Sequence, residues 1–131
     1  YLVATSVIGV LAQRLVRGIC SKCKHSYTPS AAELAEAKIT AEQAANANFA
    51  KGKGCSYCQK RGYRGRLGIF ELMRMTATIR QMTFEGAPSV HIREAAVKEG
   101  MSTLYMDGID KVLRGITTID EVFRVSKQSE A

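Results

Sequence analysis

The sequence predicts a mainly α-helical protein with a short strand segment and a metal-binding insert. Three observations carry that expectation. Apolar residues recur at helical spacing through most of the chain. Several Ser and Thr residues stand three positions ahead of Glu or Gln, as in a capping box. The four cysteines form two C-x-x-C pairs, Cys20/Cys23 and Cys55/Cys58. At 131 residues the chain is long enough to bury a core without disulfide staples. No apolar run approaches the ~20 residues of a bilayer span; the longest, Tyr1 to Leu11, is broken by Thr5, Ser6 and Gly9. The chain opens on Tyr inside an apolar pattern, with no basic leader segment. The expectation is a piece of a longer protein without a signal peptide.

Taken in order, Val3, Val7, Leu11 and Leu15, with Ile8 and Val10 beside them, predict a helix from about Thr5 to Arg17, stopped by Gly18. Ser30 with Glu33 predicts the start of a second helix after Pro29, and Thr40 with Gln43 a third that fades near Asn48. Between them Leu34, Ile39 and Phe49 are the main large apolar residues, too few for an independent core. A strand is expected from about Arg66 to Leu72, entered by a bend at Gly65. Thr76 caps a helix through about Phe84, and Pro88-Ser89 starts another that Gly100 stops. Leu104 to Arg114 forms a third, ended by Gly115, and Thr118 with Glu121 opens the last. Met73, Met75, Met82, Met101 and Met106 read as core filler at helical spacing.

Two C-x-x-C pairs with no cysteine left over supply a tetrahedral Cys₄ set for one structural Zn²⁺. The 31 residues between Cys23 and Cys55 exceed a compact zinc ribbon, so the segment must fold as an insert. Gly54 and Gly62 suit the tight backbone around the second pair. Two disulfides or a dithiol redox site are the alternatives. The first needs an oxidising compartment, and the second normally uses one pair following a strand. A closed Cys₄ site leaves no open position for substrate, so the metal reading is a structural one. His25 and His91 read as surface or capping residues.

Residues 1–66 hold 11 basic and 3 acidic side chains, against 8 and 9 in residues 67–131. A basic half of this kind attracts nucleic acid, anionic lipid or an acidic protein surface. It equally offsets the formal −2 of a Zn²⁺ tetrathiolate. The alternative function is therefore a free-standing zinc-ribbon module that binds nucleic acid through residues 14–66, although only Tyr27, Phe49, Tyr57 and Tyr63 offer stacking surfaces there. Helix–turn–helix DNA binding in the second half is disfavoured by its near-neutral charge. Gly62, Gly65 and Gly68 do not form a phosphate loop, lacking the Lys-Ser/Thr and a helix directly after them. No carboxylate pair, Ser–His–Asp set or Cys–His set stands out.

The order of motifs is more specific than any one of them. Leu11-Ala12-Gln13-Arg14-Leu15-Val16-Arg17 runs into Cys20-x-x-Cys23. Gly54-Cys55-x-x-Cys58 continues to Gly62-Tyr63-x-Gly65-Arg66-x-Gly68-Ile69-x-Glu71-Leu72. Then come Asp107-Gly108, Lys111-Val112, Gly115-x-Thr117-Thr118, Glu121-Val122 and Arg124-Val125. This series resembles the C-terminal portion of the ATPases of type II secretion and type IV pilus assembly, over about Leu2 to Ser126. The resemblance implies a RecA-like α/β ATPase domain, with residues 1–19 as the helical end of its core. It implies a zinc insert at 20–62, a strand rejoining the sheet at 63–75 and a helical subdomain at 76–131. It further implies a homo-hexamer at the cytoplasmic face of the inner membrane, working with secretion or pilus platform proteins. ATP and Mg²⁺ would belong to the full-length parent only. The family's phosphate-binding loop, acidic motifs and catalytic Glu lie upstream of these residues, so no catalytic or nucleotide-binding residue is expected here. The fragment alone is expected to be inactive. Gln59-Lys60-Arg61 stands where the family often has a Thr. The retraction ATPases generally lack the tetracysteine insert and are disfavoured.

Overall fold

A computed structural model describes residues 6–130, with side chains through Ser126. Its elements are β1 (Gly9–Ile19), β2 (Lys24–Ser26), α1 (Ala31–Ala37), α2 (Ala41–Ala45), β3 (Ala50–Gly52), β4 (Tyr63–Arg74), α3 (Ala77–Phe84), α4 (Ser89–Lys98), α5 (Leu104–Leu113) and α6 (Ile119–Glu130). Strand β1 pairs with β4, and β2 with β3. Hydrogen bonds from Met75 N to Ile8 O (3.0 Å) and from Cys20 N to Gly62 O (2.9 Å) flank the longer pair, so its strands run antiparallel. The chain divides into two compact units, residues 1–13 with 70–104 and residues 14–69 with 105–131.

The first element departs from expectation. The helix predicted over Thr5–Arg17 is replaced by β1 from Gly9, while Leu2, Val3 and Thr5 lie outside the described residues. The i, i+4 spacing of Val7, Leu11 and Leu15 fits one helix face, but pairing with β4 satisfies the same backbone groups without it. Propensity is a weak prior that such tertiary pairing overrides. The second strand segment is also longer than predicted, at 12 residues. It passes through Gly65 at φ +79, where the bend was expected.

In the first unit, Thr76 caps α3, its Oγ1 accepting from Ile79 N at 3.3 Å, and Ile79 is fully buried. Glu71 braces this unit. Its carboxylate takes Nη1 and Nη2 of Arg93 at 2.9 and 2.8 Å, and accepts from Leu104 N at 2.8 Å. Strand β4, helix α4 and the start of α5 therefore share one carboxylate.

In the second unit, both predicted capping boxes of the insert form. Ser30 and Glu33 bond reciprocally at α1, and Thr40 and Gln43 at α2. The insert's apolar residues do not stand alone. Ala37, Ile39 and Phe49 pack in one cluster with Ile109, Val112, Ile119 and Val122 of α5 and α6. Gly108 permits the close crossing of these helices, since a Cβ there would lie 2.8 Å from Val122 Cγ1 and 3.4 Å from Ile69 Cδ1. The methionines are less buried than expected. None is fully buried, and Met106 is 48% exposed.

Glu121 organises the second unit. Thr118 Oγ1 accepts from Glu121 N at 3.2 Å, half of the expected box. The Glu121 side chain does not reach back to complete it. It accepts instead from Arg17 N (2.7 Å), from Arg17 Nε and Nη2 (3.0 and 2.7 Å), and from Arg124 Nε and Nη2 (both 2.9 Å). The side chain is 2% exposed. Burial alone would raise its pKa, but the Arg124 and Arg17 bonds outweigh that and hold it at about 2. The carboxylate therefore stabilises the fold fully above its ordinary value of 4.5, and this contribution is lost as pH falls toward 2. With both guanidiniums half exposed, it is worth on the order of 2 kcal/mol. We expect Glu121→Gln to flatten the fall in denaturation midpoint between pH 5 and pH 2.5, and Glu121→Ala to cost about 2–4 kcal/mol at neutral pH, from the lost ion pairs and the Arg17 N–H left without its acceptor. Chemical denaturation across pH checks both. Wild type and variant are compared in the same excess of chelator, so that metal release does not enter the difference.

Candidate metal centre

The two cysteine pairs meet because three backbone features bring them together. Cys20 follows β1 directly and is tied to Gly62 by the bond noted above. Strands β2 and β3 pair with Lys24 opposite Gly52 and Ser26 opposite Ala50, so the chain returns beside the first pair after α1 and α2. Lys53 N donates to Cys23 O at 3.2 Å. The second pair then closes a tight knuckle. Lys60 N donates to Cys55 O (2.7 Å) and Arg61 N to Cys58 O (3.2 Å), with Gln59 and Lys60 both at positive φ.

Gly62 is required at the end of this knuckle. Its φ is +81, and a Cβ on it would lie 2.7 Å from Gly52 O. Gly52 answers it from β3, where a Cβ would lie 2.1 Å from Gly62 O. Two chain segments thus touch backbone to backbone beside the cysteines.

All four Sγ atoms lie within 4.8 Å of one another, and all four cysteines are unbridged. Sγ–Sγ separations are 3.8 Å for Cys20–Cys55, 3.8 Å for Cys23–Cys58 and 3.7 Å for Cys55–Cys58. The cluster can hold a metal ion. The sequence-predicted set is brought together complete, and His25 and His91 are not part of it. His91 is exposed. His25 is half-buried, with its Nδ1 buried and unpartnered.

Backbone N–H groups point at the sulfurs. Gly54 N donates to Cys23 Sγ at 3.3 Å, and Cys55 N and Gly62 N donate to Cys58 Sγ at 3.3 and 3.2 Å. Burial alone would raise the Cys58 thiol, but its two N–H donors outweigh that and hold it down at about 6. Burial pushes Cys23 up to about 11 against its single donor, Gly54.

The basic excess of this half is partly engaged internally. The Arg17 guanidinium lies 4.4 Å over the Tyr63 ring, Lys51 Nζ 4.3 Å over Tyr27, and Arg64 4.1 Å over Tyr57, with Lys22 Nζ 5.7 Å from the same ring. Sequence reading missed these pairs and the Glu121 network. The tyrosines were visible, but their cationic partners come from other segments.

Two outcomes are expected. Because metal must displace the Cys23 proton, metal affinity should fall with falling pH, by about tenfold per pH unit for each proton released. Gly62→Ala should weaken metal binding by about 10–100-fold, since it displaces a donor to Cys58 and the Gly52 contact. Competition against a chromophoric chelator at several pH values measures both.

The sequence matches the family described as Type II/IV secretion system protein over residues 1–124. It is 39% identical over 120 residues to the type IV pilus assembly ATPase PilB of Thermus thermophilus, covering 92% of this chain and 14% of that protein. It is 39% identical over 134 residues to the type II secretion system protein E of Dickeya dadantii, covering 98% of this chain and 25% of the relative. A Pseudomonas aeruginosa type II secretion system protein E is 38% identical, with 98% and 25% covered. The chain thus spans a quarter or less of the length of these relatives. The match over nearly its whole length, with the tetracysteine cluster inside it, places this chain in the type II/IV secretion system protein family.

Proposed function

We propose that these residues form the C-terminal part of a cytoplasmic, hexameric ATPase that powers type II secretion or type IV pilus assembly. Their own contribution is a Zn²⁺-held insert and contact surfaces, with the ATP-hydrolysing residues elsewhere in the protein. The observation that carries this reading is the family match together with the assembled cysteine cluster. The relatives' names supply the ATPase activity and the two processes, pilus assembly and type II secretion.

Zn²⁺ is the ion proposed for the cluster. Ligands about 2.3 Å from a tetrahedral centre stand about 3.8 Å apart. Three of the Sγ–Sγ separations, at 3.7–3.8 Å, match that edge. Cys20, Cys23, Cys55 and Cys58 would be the ligands, and the ion would supply cross-linking rather than chemistry on substrate. The N–H donors to Cys23 and Cys58 and the neighbouring Lys and Arg side chains support the net negative charge of such a centre.

Apolar side chains also stand exposed. In the first unit Ile8, Val10, Leu11, Phe70 and Leu72 are 45–87% exposed along β1 and β4. Apolar exposure on this scale along a strand pair marks an interaction surface. We assign it to the parent protein's own ATPase core, and the platform proteins of the inner membrane to other surfaces of the parent. Among the described residues, no helix is long and apolar enough to cross a membrane. Binding of nucleic acid through residues 14–66 is the weaker reading, because several of the basic side chains there already lie over tyrosines or on Glu121.

The full-length protein provides the test. Metal analysis should find close to one Zn²⁺ per chain after reduction, and Cys20→Ser or Cys55→Ser should lower thermal stability and secretion or pilus assembly together. The isolated 131-residue chain should not hydrolyse ATP. A metal-free wild type, or turnover by the fragment, would overturn the assignment.

A further inference from the structure

We infer that Cys55 is the reactive sulfur of the cluster, the point at which an electrophile or a hydroperoxide enters and unlocks the centre. The inference rests on the metal reading above.

The four sulfurs are not equivalent. Cys20 and Cys58 are buried, at 0% and 3% exposure, while Cys23 and Cys55 are half-buried. Access therefore selects Cys23 and Cys55. Hydrogen bonding then separates these two. Cys23 Sγ receives the Gly54 N–H at 3.3 Å, and Cys58 Sγ receives two such bonds. Among the described residues, no N–H donates as closely to Sγ of Cys55 or Cys20. An N–H donor withdraws electron density from a thiolate and lowers its nucleophilicity. Cys55 alone combines access with the absence of a close donor.

A resolving partner is in reach. Cys20 Sγ lies 3.8 Å from Cys55 Sγ and, like it, carries no close N–H donor; Cys58 lies 3.7 Å away but is covered by two. With a hydroperoxide as oxidant, the Cys55 sulfur attacks the distal oxygen and the O–O bond breaks. Cys55 becomes a sulfenic acid, and the departing hydroxide or alkoxide takes up a proton. Cys20 sulfur then displaces hydroxide from the Cys55 sulfur, forming the Cys20–Cys55 disulfide, and that hydroxide is protonated to water. Two thiolates lose two electrons in total, and the peroxide bond gains them. The centre loses two of its four donors, one from each knuckle.

The test uses the metal-loaded full-length protein. Zn²⁺ content is measured first. The protein then receives limiting iodoacetamide or, separately, one equivalent of hydrogen peroxide. Zn²⁺ release is followed with a chromogenic chelator, and modified peptides are mapped by mass spectrometry. Cys55 should be alkylated first, several-fold ahead of Cys23, whose sulfur lone pair is engaged by the Gly54 N–H. The peroxide product should be the Cys20–Cys55 disulfide. Cys55→His keeps a fourth ligand, and it should retain Zn²⁺ while releasing it more slowly under peroxide. A full Zn²⁺ complement with first labelling at Cys23, or with a Cys55–Cys58 disulfide as the main product, would overturn this inference and leave the metal reading standing. Absence of Zn²⁺ at the outset would overturn both.

Discussion

One buried carboxylate connects the parts of the second unit. Glu121 sits at the start of α6 and receives five hydrogen bonds from Arg17 and Arg124, one of them from the Arg17 backbone. A buried charge is costly unless it is paired and its lone pairs are filled. Here both conditions hold, and meeting them fixes the end of β1 against α6. Thr117 Oγ1 donates to Arg17 O, and Ile19 N donates to Ile116 O, from the turn just before that helix. Tyr63 completes the arrangement, with its ring under the Arg17 guanidinium and its hydroxyl 2.6 Å from Thr118 Oγ1.

The cysteine cluster inherits its position from this arrangement. Cys20 follows Ile19 immediately, and Gly62 immediately precedes Tyr63. The Cys20 N to Gly62 O bond joins the two knuckles where β1 and β4 begin to pair. A metal ion in the cluster would cross-link segments that the Glu121 network has already aligned. The insert also has a second anchor. Tyr105 donates to Ala37 O, and Phe49 lies in the α5–α6 cluster, so apolar packing holds the middle of the insert while the cysteine pairs flank its two ends.

Local chemistry was legible where local bonds decide the structure. Ser30 with Glu33, Thr40 with Gln43, and Thr76 each cap the helix expected of them, because a cap depends on residues within three positions. The cysteine cluster was legible for the same reason, since C-x-x-C spacing brings two sulfurs together within one turn of chain. The Thr118–Glu121 box was only half legible. The Thr118 bond forms, while the Glu121 side chain turns to an arginine 104 residues away in sequence.

The first element marks the boundary between the two kinds of information. By itself the sequence determined the cysteine pairs, the helix starts and the basic first half, because each follows from residue type at short separation. It also carried the motif order that places the chain in its family. Whether Gly9–Ile19 is helix or strand was decided only by the tertiary structure. Its apolar residues fit either period, and the partner that satisfies its backbone, β4, lies more than 40 residues further along the chain. The same holds for the unequal cysteines. Their spacing is symmetric, and only the folded backbone brings N–H groups to Cys23 and Cys58 while leaving Cys55 half-exposed without one.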